Sequence, residues 1–126
     1  MANTLALIMD SDRIVLADEA YQKATQYELD YGCCPQCVLA TAQETIGIVG
    51  DQMVKASHGL SGGGAPFGEG VCGTLTGGLL ALSAKYGRDR DKPDKGRYIN
   101  NVKKAKKLRE RFRAEFGGIA CRELQQ

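Results

Sequence analysis

The sequence predicts an all-α fold, a small bundle of about five helices packed around one central helix that carries glycine and cysteine. Three observations carry this. Few stretches alternate polar and apolar residues with period two, whereas several segments repeat apolar residues at helical spacing. A glycine-rich run at 59–87 holds ten of the chain's 16 glycines, a concentration that makes a demand on the backbone. That run ends in Leu75, Leu79, Leu80, Ala81, Leu82, Ala84 and Tyr86, apolar nearly all round with Lys85 as its only charge, and such a helix belongs at the centre of a bundle.

Taken in order, residues 1–13 show no clear period and are expected as an N-terminal arm, with a short strand or turn around 5–9. From 14 to about 29, Leu16, Ala17, Ala20, Tyr21, Ala24 and Tyr27 follow helical spacing with Asp18, Glu19, Lys23 and Glu28 between them, and Gly32 ends the helix. Pro35 suits the first position of a second helix, because its missing N–H would be unsatisfied there in any case. This makes Cys34 the expected N-cap, and the helix runs through Val38, Leu39, Ala42 and Ile46 to Gly47. A short helix follows at 51–58, with Met53, Val54 and Ala56 as its apolar positions and His58, the only histidine, at its end.

After the glycine-rich run and the central helix, the charged, proline-containing segment 88–96 reads as an exposed loop. A long helix begins around Tyr98, with Ile99, Val102, Ala105, Leu108, Phe112 and Phe116 on one stripe, and Gly117-Gly118 end it. One more helical turn at 119–124 carries Cys121. The chain of 126 residues is expected to form a single domain.

Charge is polarised along the chain: residues 85–113 hold 13 Lys/Arg against 4 Asp/Glu, and the remainder holds 4 against 11. The basic face of the long helix lacks interleaved exposed aromatics and any nucleic-acid-binding motif, so it reads as a solvated face rather than a nucleic-acid interface. No apolar run reaches the length of a membrane span, and residues 5–9 are too short for the core of a signal peptide. A cytoplasmic, non-membrane protein is the expectation. Bundles of this size with an exposed apolar stripe often dimerise, so a homodimer is expected as well.

Five cysteines without an export signal argue for reduced thiols that do redox chemistry or bind metal. Cys34 and Cys37 share the first turn of a helix as a Cys-Pro-x-Cys pair, where free N–H groups stabilise a thiolate and the second thiol resolves a disulfide or ligates the same metal. Cys72 stands at the junction of the glycine-rich loop and the central helix, again at a helix N-terminus. Exchange among Cys34, Cys37, Cys72 and Cys121 is therefore the first functional reading. A zinc or iron–sulfur centre held by the same four thiols is the second. In a third reading the loop glycines Gly62, Gly63 and Gly64, with Gly73, receive an anion or small molecule through backbone N–H groups, and the cysteines only pack. His58 is read as a capping residue, or as a ligand or proton donor beside Cys72, while Cys33 has no assigned role.

The pattern resembles the C_GCAxxG_C_C family, small bacterial and archaeal proteins described as redox-active and named for their cysteines. The matching residues are Cys34-Pro35-Gln36-Cys37-Val38-Leu39, the loop Gly62 to Gly64, Cys72-Gly73-Thr74-Leu75-Thr76-Gly77, Tyr86-Gly87, Phe116-Gly117 and Cys121-Arg122-Glu123-Leu124. Thr74 stands where the family has Ala, and the family's last cysteine has no counterpart here. The resemblance implies thiols that are redox-active or hold a metal centre, together with a redox partner. A similar domain pattern occurs in split-Soret-type cytochromes, which attach haem through Cys-x-x-Cys-His. Here Val38 follows Cys37, so covalent haem is not supported.

Overall fold

A computed structural model of the chain describes the backbone of residues 2–92 and 95–124 and the side chains of 11–92 and 99–124. Among these, the secondary structure is helical throughout: α1 (Ala2–Tyr31), α2 (Cys34–Ile46), α3 (Asp51–Ala56), a 3-10 segment (Ser57–Gly63), α4 (Gly73–Tyr86), α5 (Lys95–Phe116) and the short α6 (Cys121–Leu124). The only β pairing among the described residues is one isolated antiparallel bridge between Val71 and Ala120. The predicted all-α class is therefore the observed one.

The strand or turn expected around 5–9 is absent, and α1 is continuous from Ala2. That segment has no apolar period of its own, and the helix to which it is joined sets its conformation. Gly32, at φ +66°, ends α1 in the left-handed region where a side chain would be strained. The next helix starts one residue earlier than expected. The Cys33 carbonyl accepts the first helical bond, from Cys37 N at 2.9 Å, so Cys33 with its extended backbone is the N-cap and Cys34 already lies in the helix. Gly47, at φ +68°, closes α2 with its N–H on the Ala42 carbonyl.

The helices are stacked in the order α1, α2, α4, α5, with α3 and the 3-10 segment closing one side. The predicted central helix, α4, shares the centre with α2. Leu39 and Leu75 are buried there, and Leu39, Ala42, Val49 and Ala81 form a core flanked by Ile48, Met53, Val54 and Leu80. Two glycines bring α4 within backbone distance of α2. A Cβ on Gly77 would stand 3.1 Å from both Cα and O of Pro35 and 3.0 Å from Cβ of Val38. A Cβ on Gly73 would meet Cδ of Pro35 at 2.6 Å. A helix interior loses roughly 1 kcal/mol for each Gly in place of Ala. What offsets that loss is the close approach itself, since any side chain at these positions would push α4 off the first turn of α2.

α1 is tied to α2 by polar contacts. Glu44 accepts hydrogen bonds from Tyr27 Oη and from Lys23 Nζ, the latter at 3.1 Å. Ile14, Val15, Tyr21, Leu29 and Tyr31 on α1 remain exposed. At the other end of the chain, the segment before α6 lies along the glycine-rich loop, with Cys72 N donating to Ile119 O at 2.7 Å, Cys121 N to Gly70 O at 2.9 Å and Arg122 N to Gly68 O at 2.8 Å.

Candidate functional site

The close packing of α4 on α2 determines where the cysteines lie. Cys34 is at the start of α2 and half-buried, and Cys72 is the N-cap of α4 and half-buried. Gly73, next to Cys72, packs on the first turn of α2, where a Cβ on it would lie 3.0 Å from Cβ of Cys34. The two thiols thus share one junction, near enough for the charge of one to act on the other. From α1, Glu28 reaches the same place, and the Cys34 thiol donates to Glu28 Oε1 at 3.8 Å. Cys72 is also reached from an open groove of about 260 Å³ lined by Thr74, Phe112, Phe116 and Leu124.

Cys37 is buried one turn further along α2, where burial and then the Glu28 carboxylate push its thiol up. With Cys33 it lines a mainly apolar groove of about 230 Å³ between Tyr27, Tyr31 and Val54. Cys33 is buried, its thiol 4.0 Å from the carbonyl oxygen of His58. The His58 residue is itself exposed. Cys121 is buried against the glycine-rich loop, where its Cβ would lie 3.1 Å from a Cβ on Gly63.

Of the four predicted thiols, then, the fold gathers Cys34, Cys37 and Cys72 around the start of α2, while Cys121 belongs to the loop. Among the described residues, no three Cys, His, Asp or Glu side chains are grouped as metal ligands would be. The C-terminal pairing with Gly68 and Gly70 holds Cys121 against the glycine-rich loop. In the glycine-rich loop several backbone N–H groups bond within the chain. The N–H groups of Gly64, Ala65, Phe67, Gly68 and Cys72 go to carbonyls at Ser61, Gly59, Gly64, Gly62 and Ile119. The space in front of Gly63 is taken by Gly70 and Cys121, that in front of Gly62 by Pro66, and that in front of Gly73 by Pro35 and Cys34. Gly62, Gly63 and Gly64 let the chain fold back on itself at positive φ.

The electrostatics of Cys34 also oppose the expectation of a stabilised thiolate. Burial, followed by the Glu28 carboxylate and Cys72, pushes the thiol from 9.0 up to about 11, against a smaller lowering by backbone hydrogen bonding. Burial and Glu28 raise Cys37 in the same way. Cys34 and Cys37 are therefore protonated at neutral pH. The sign for stability follows directly. The folded state holds the Cys34 proton more tightly than the unfolded chain does, so this contribution is present below pH 9 and is lost as pH rises through about 11. Denaturant unfolding at pH 8 and at pH 10.5 should show a smaller alkaline loss of stability in Cys34→Ser than in the native protein.

Glu28 is the residue that sequence reasoning passed over, taking it only as one of the polar positions of α1. Six residues separate it from Cys34, and only the left-handed turn at Gly32 folds α1 back so that the two meet. An acidic residue one helical turn before a glycine and a Cys-Pro pair is a weak signal, legible once that turn is known.

No helix among the described residues is long and apolar enough to cross a membrane. No curated protein and no solved structure matches the chain. A family model described as "Putative redox-active protein (C_GCAxxG_C_C)" matches residues 32–126, from the turn before the Cys33-Cys34-Pro35 segment to the C-terminal end. The matched residues include all five cysteines and the glycine-rich loop, and the chain belongs to the C_GCAxxG_C_C family.

Proposed function

We propose that the protein is a dithiol/disulfide redox protein in which Cys34 and Cys72 are the exchanging pair and Cys37 is the auxiliary thiol that can also reach Cys34. The observation that carries this reading is the junction of α2 and α4. Half-buried Cys72 precedes Gly73, on which a Cβ would stand 3.0 Å from Cβ of half-buried Cys34, so the two helix starts meet at a glycine where no side chain fits. The attack of the two thiols on an oxidised partner is a simple two-electron exchange. Cys34 opens a disulfide of the partner to form a mixed disulfide, and Cys72 then displaces the partner as a dithiol and leaves Cys34–Cys72 joined. The open groove beside Cys72, with Phe112 and Phe116 in its wall, gives an oxidised peptide or small disulfide a way to the pair.

Titration of free thiols before and after incubation with a low-molecular-weight disulfide provides the test. The native protein should lose two of its five thiols. Fragmentation mass spectrometry should recover residues 34 and 72 linked, and the double variant Cys37→Ser, Cys72→Ser should stop at a stable mixed disulfide on Cys34. Five thiols that resist the oxidant, or losses spread evenly over all five, would exclude the proposal.

A further inference from the structure

We propose that Glu28 is the proton acceptor of the cysteine site: its carboxylate takes the thiol proton of Cys34 as that sulfur attacks a disulfide, and returns it to the leaving thiolate. The inference rests on the dithiol reading and adds to it a residue on α1 that lies ahead of the family-matched segment.

Three features point to this carboxylate. Its Oε1 is the acceptor of the Cys34 thiol at 3.8 Å, and its charge also acts on the Cys37 thiol, so it influences both cysteines of α2. Glu28 is exposed, so the acid formed can pass its proton on. Among the described residues no ion pair occupies it, whereas Glu44 on the same α1–α2 contact is held by Lys23 and Tyr27. The titratable groups facing Cys34 are Glu28 from α1 and Cys72 from α4, and those facing Cys37 are Glu28 and Cys33.

The need for an acceptor follows from the chemistry. The thiolate is the nucleophile, yet this site keeps Cys34 protonated at neutral pH, and few molecules would react if the proton had to leave for water first. A carboxylate in contact with the sulfur allows deprotonation and attack to occur together. In the first step the Cys34 S–H bond and the partner's S–S bond break, and a Cys34–partner S–S bond forms. Glu28 receives the proton and passes it to the departing thiolate. In the second step Cys72 gives up its proton, attacks the Cys34 sulfur and releases the second partner thiol, which takes that proton. The partner disulfide is reduced to two thiols, Cys34 and Cys72 are oxidised to one disulfide, and protons and electrons balance with no other reagent.

The test is the pH profile of reaction with 2-hydroxyethyl disulfide, whose leaving thiolate needs a proton, read as mixed-disulfide formation at Cys34 by quenched mass spectrometry. In the native protein the rate should be nearly flat from about pH 6 to 9, because the carboxylate does the deprotonation. In Glu28→Gln it should fall about tenfold for each pH unit below the thiol pKa, to roughly a hundredth of the native rate at pH 6. Glu28→Asp, which keeps the carboxylate, should retain a flat region at lower amplitude, and it carries the test if the Gln variant fails to fold. If Glu28 acted only by repelling the thiolate, its removal would raise the thiolate fraction, so a faster Gln variant at pH 7 overturns the proposal. Failure of the dithiol reading looks different: the native protein would form no Cys34–Cys72 link at any pH, whatever stands at position 28.

Discussion

Replacing Gly70 by Ala should destabilise the protein by roughly 3 kcal/mol or more, at the upper end of what overpacking costs. Gly70 is not at positive φ, so the residue could adopt its own backbone angles without strain. The obstacle is the neighbouring chain. A Cβ there would lie 1.9 Å from the carbonyl oxygen of Gly63 and 2.8 Å from its carbon. These are backbone atoms at a crossing of two strands of loop, and no rotamer change relieves the clash. Gly63 is equally confined, since a Cβ on it would meet O of Gly70 at 3.0 Å and N of Gly70 at 3.1 Å. If the crossing opens, the Gly70 carbonyl moves away from Cys121 N and the C-terminal segment loses its anchor. Denaturant unfolding should show a lower midpoint for Gly70→Ala, and Cys121, buried in the native protein, should become open to alkylation. Gly64→Ala is the useful comparison, because nothing lies within 4 Å of a Cβ there and only the φ of +94° is unfavourable. It should cost much less, about 1 kcal/mol, and leave Cys121 protected.

That contrast shows what was legible in the sequence. The glycine count marked 59–87 as a place with special backbone demands, and the helices on either side were legible from the spacing of Leu39, Ala42, Leu75 and Ala81, which the fold buries. Gly32, Gly47 and Gly117 end helices at positive φ, as glycine after an apolar period suggests. What the glycines of the loop do could not be read locally. A run of glycine near a helix start is compatible with an anion cradle and with a tight crossing of the chain on itself. The choice depends on the C-terminal segment at 119–122, some 50 residues away, which supplies the Ile119 carbonyl, the N–H groups of Cys121 and Arg122 and the Cys121 side chain. The same applies to the thiols. Helix N-termini argued for a lowered Cys34 pKa, but burial and Glu28 outweigh the few N–H groups, and both come from tertiary packing. Pairing of Cys34 with Cys72 likewise depends on Gly73 and Gly77 facing Pro35 and Val38, a helix–helix register that periodicity leaves open.

Oxidation should raise the melting temperature by more than about 10 °C, and the size of the rise identifies the pair that closes. In the chain-entropy treatment a disulfide stabilises by restricting the unfolded chain, more so as the enclosed loop lengthens. A Cys34–Cys72 bond encloses nearly 40 residues, worth about 4 kcal/mol on that scale, whereas a Cys34–Cys37 bond encloses four and is worth about 2. For a domain of this length each kcal/mol moves the midpoint by roughly 3–4 °C, so the two outcomes differ by several degrees. Calorimetry on the reduced protein and on protein treated with a small disulfide, each with Cys72→Ser and Cys37→Ser beside it, separates them. Cys37→Ser should keep the full rise and Cys72→Ser should lose at least half of it. The reverse pattern would place the exchange within the first turn of α2 and make Cys72 a packing residue. A further consequence concerns the close contact itself. Gly77→Ala pushes α4 away from Pro35, so it should reduce both the stability of the reduced protein and the yield of the crosslink, even though Ala is the better helix former. If the crosslink formed undiminished in that variant, the thiols would be meeting by fluctuation rather than by the packing of α2 on α4. The glycine-lined junction would then no longer support the proposed exchange between these two cysteines.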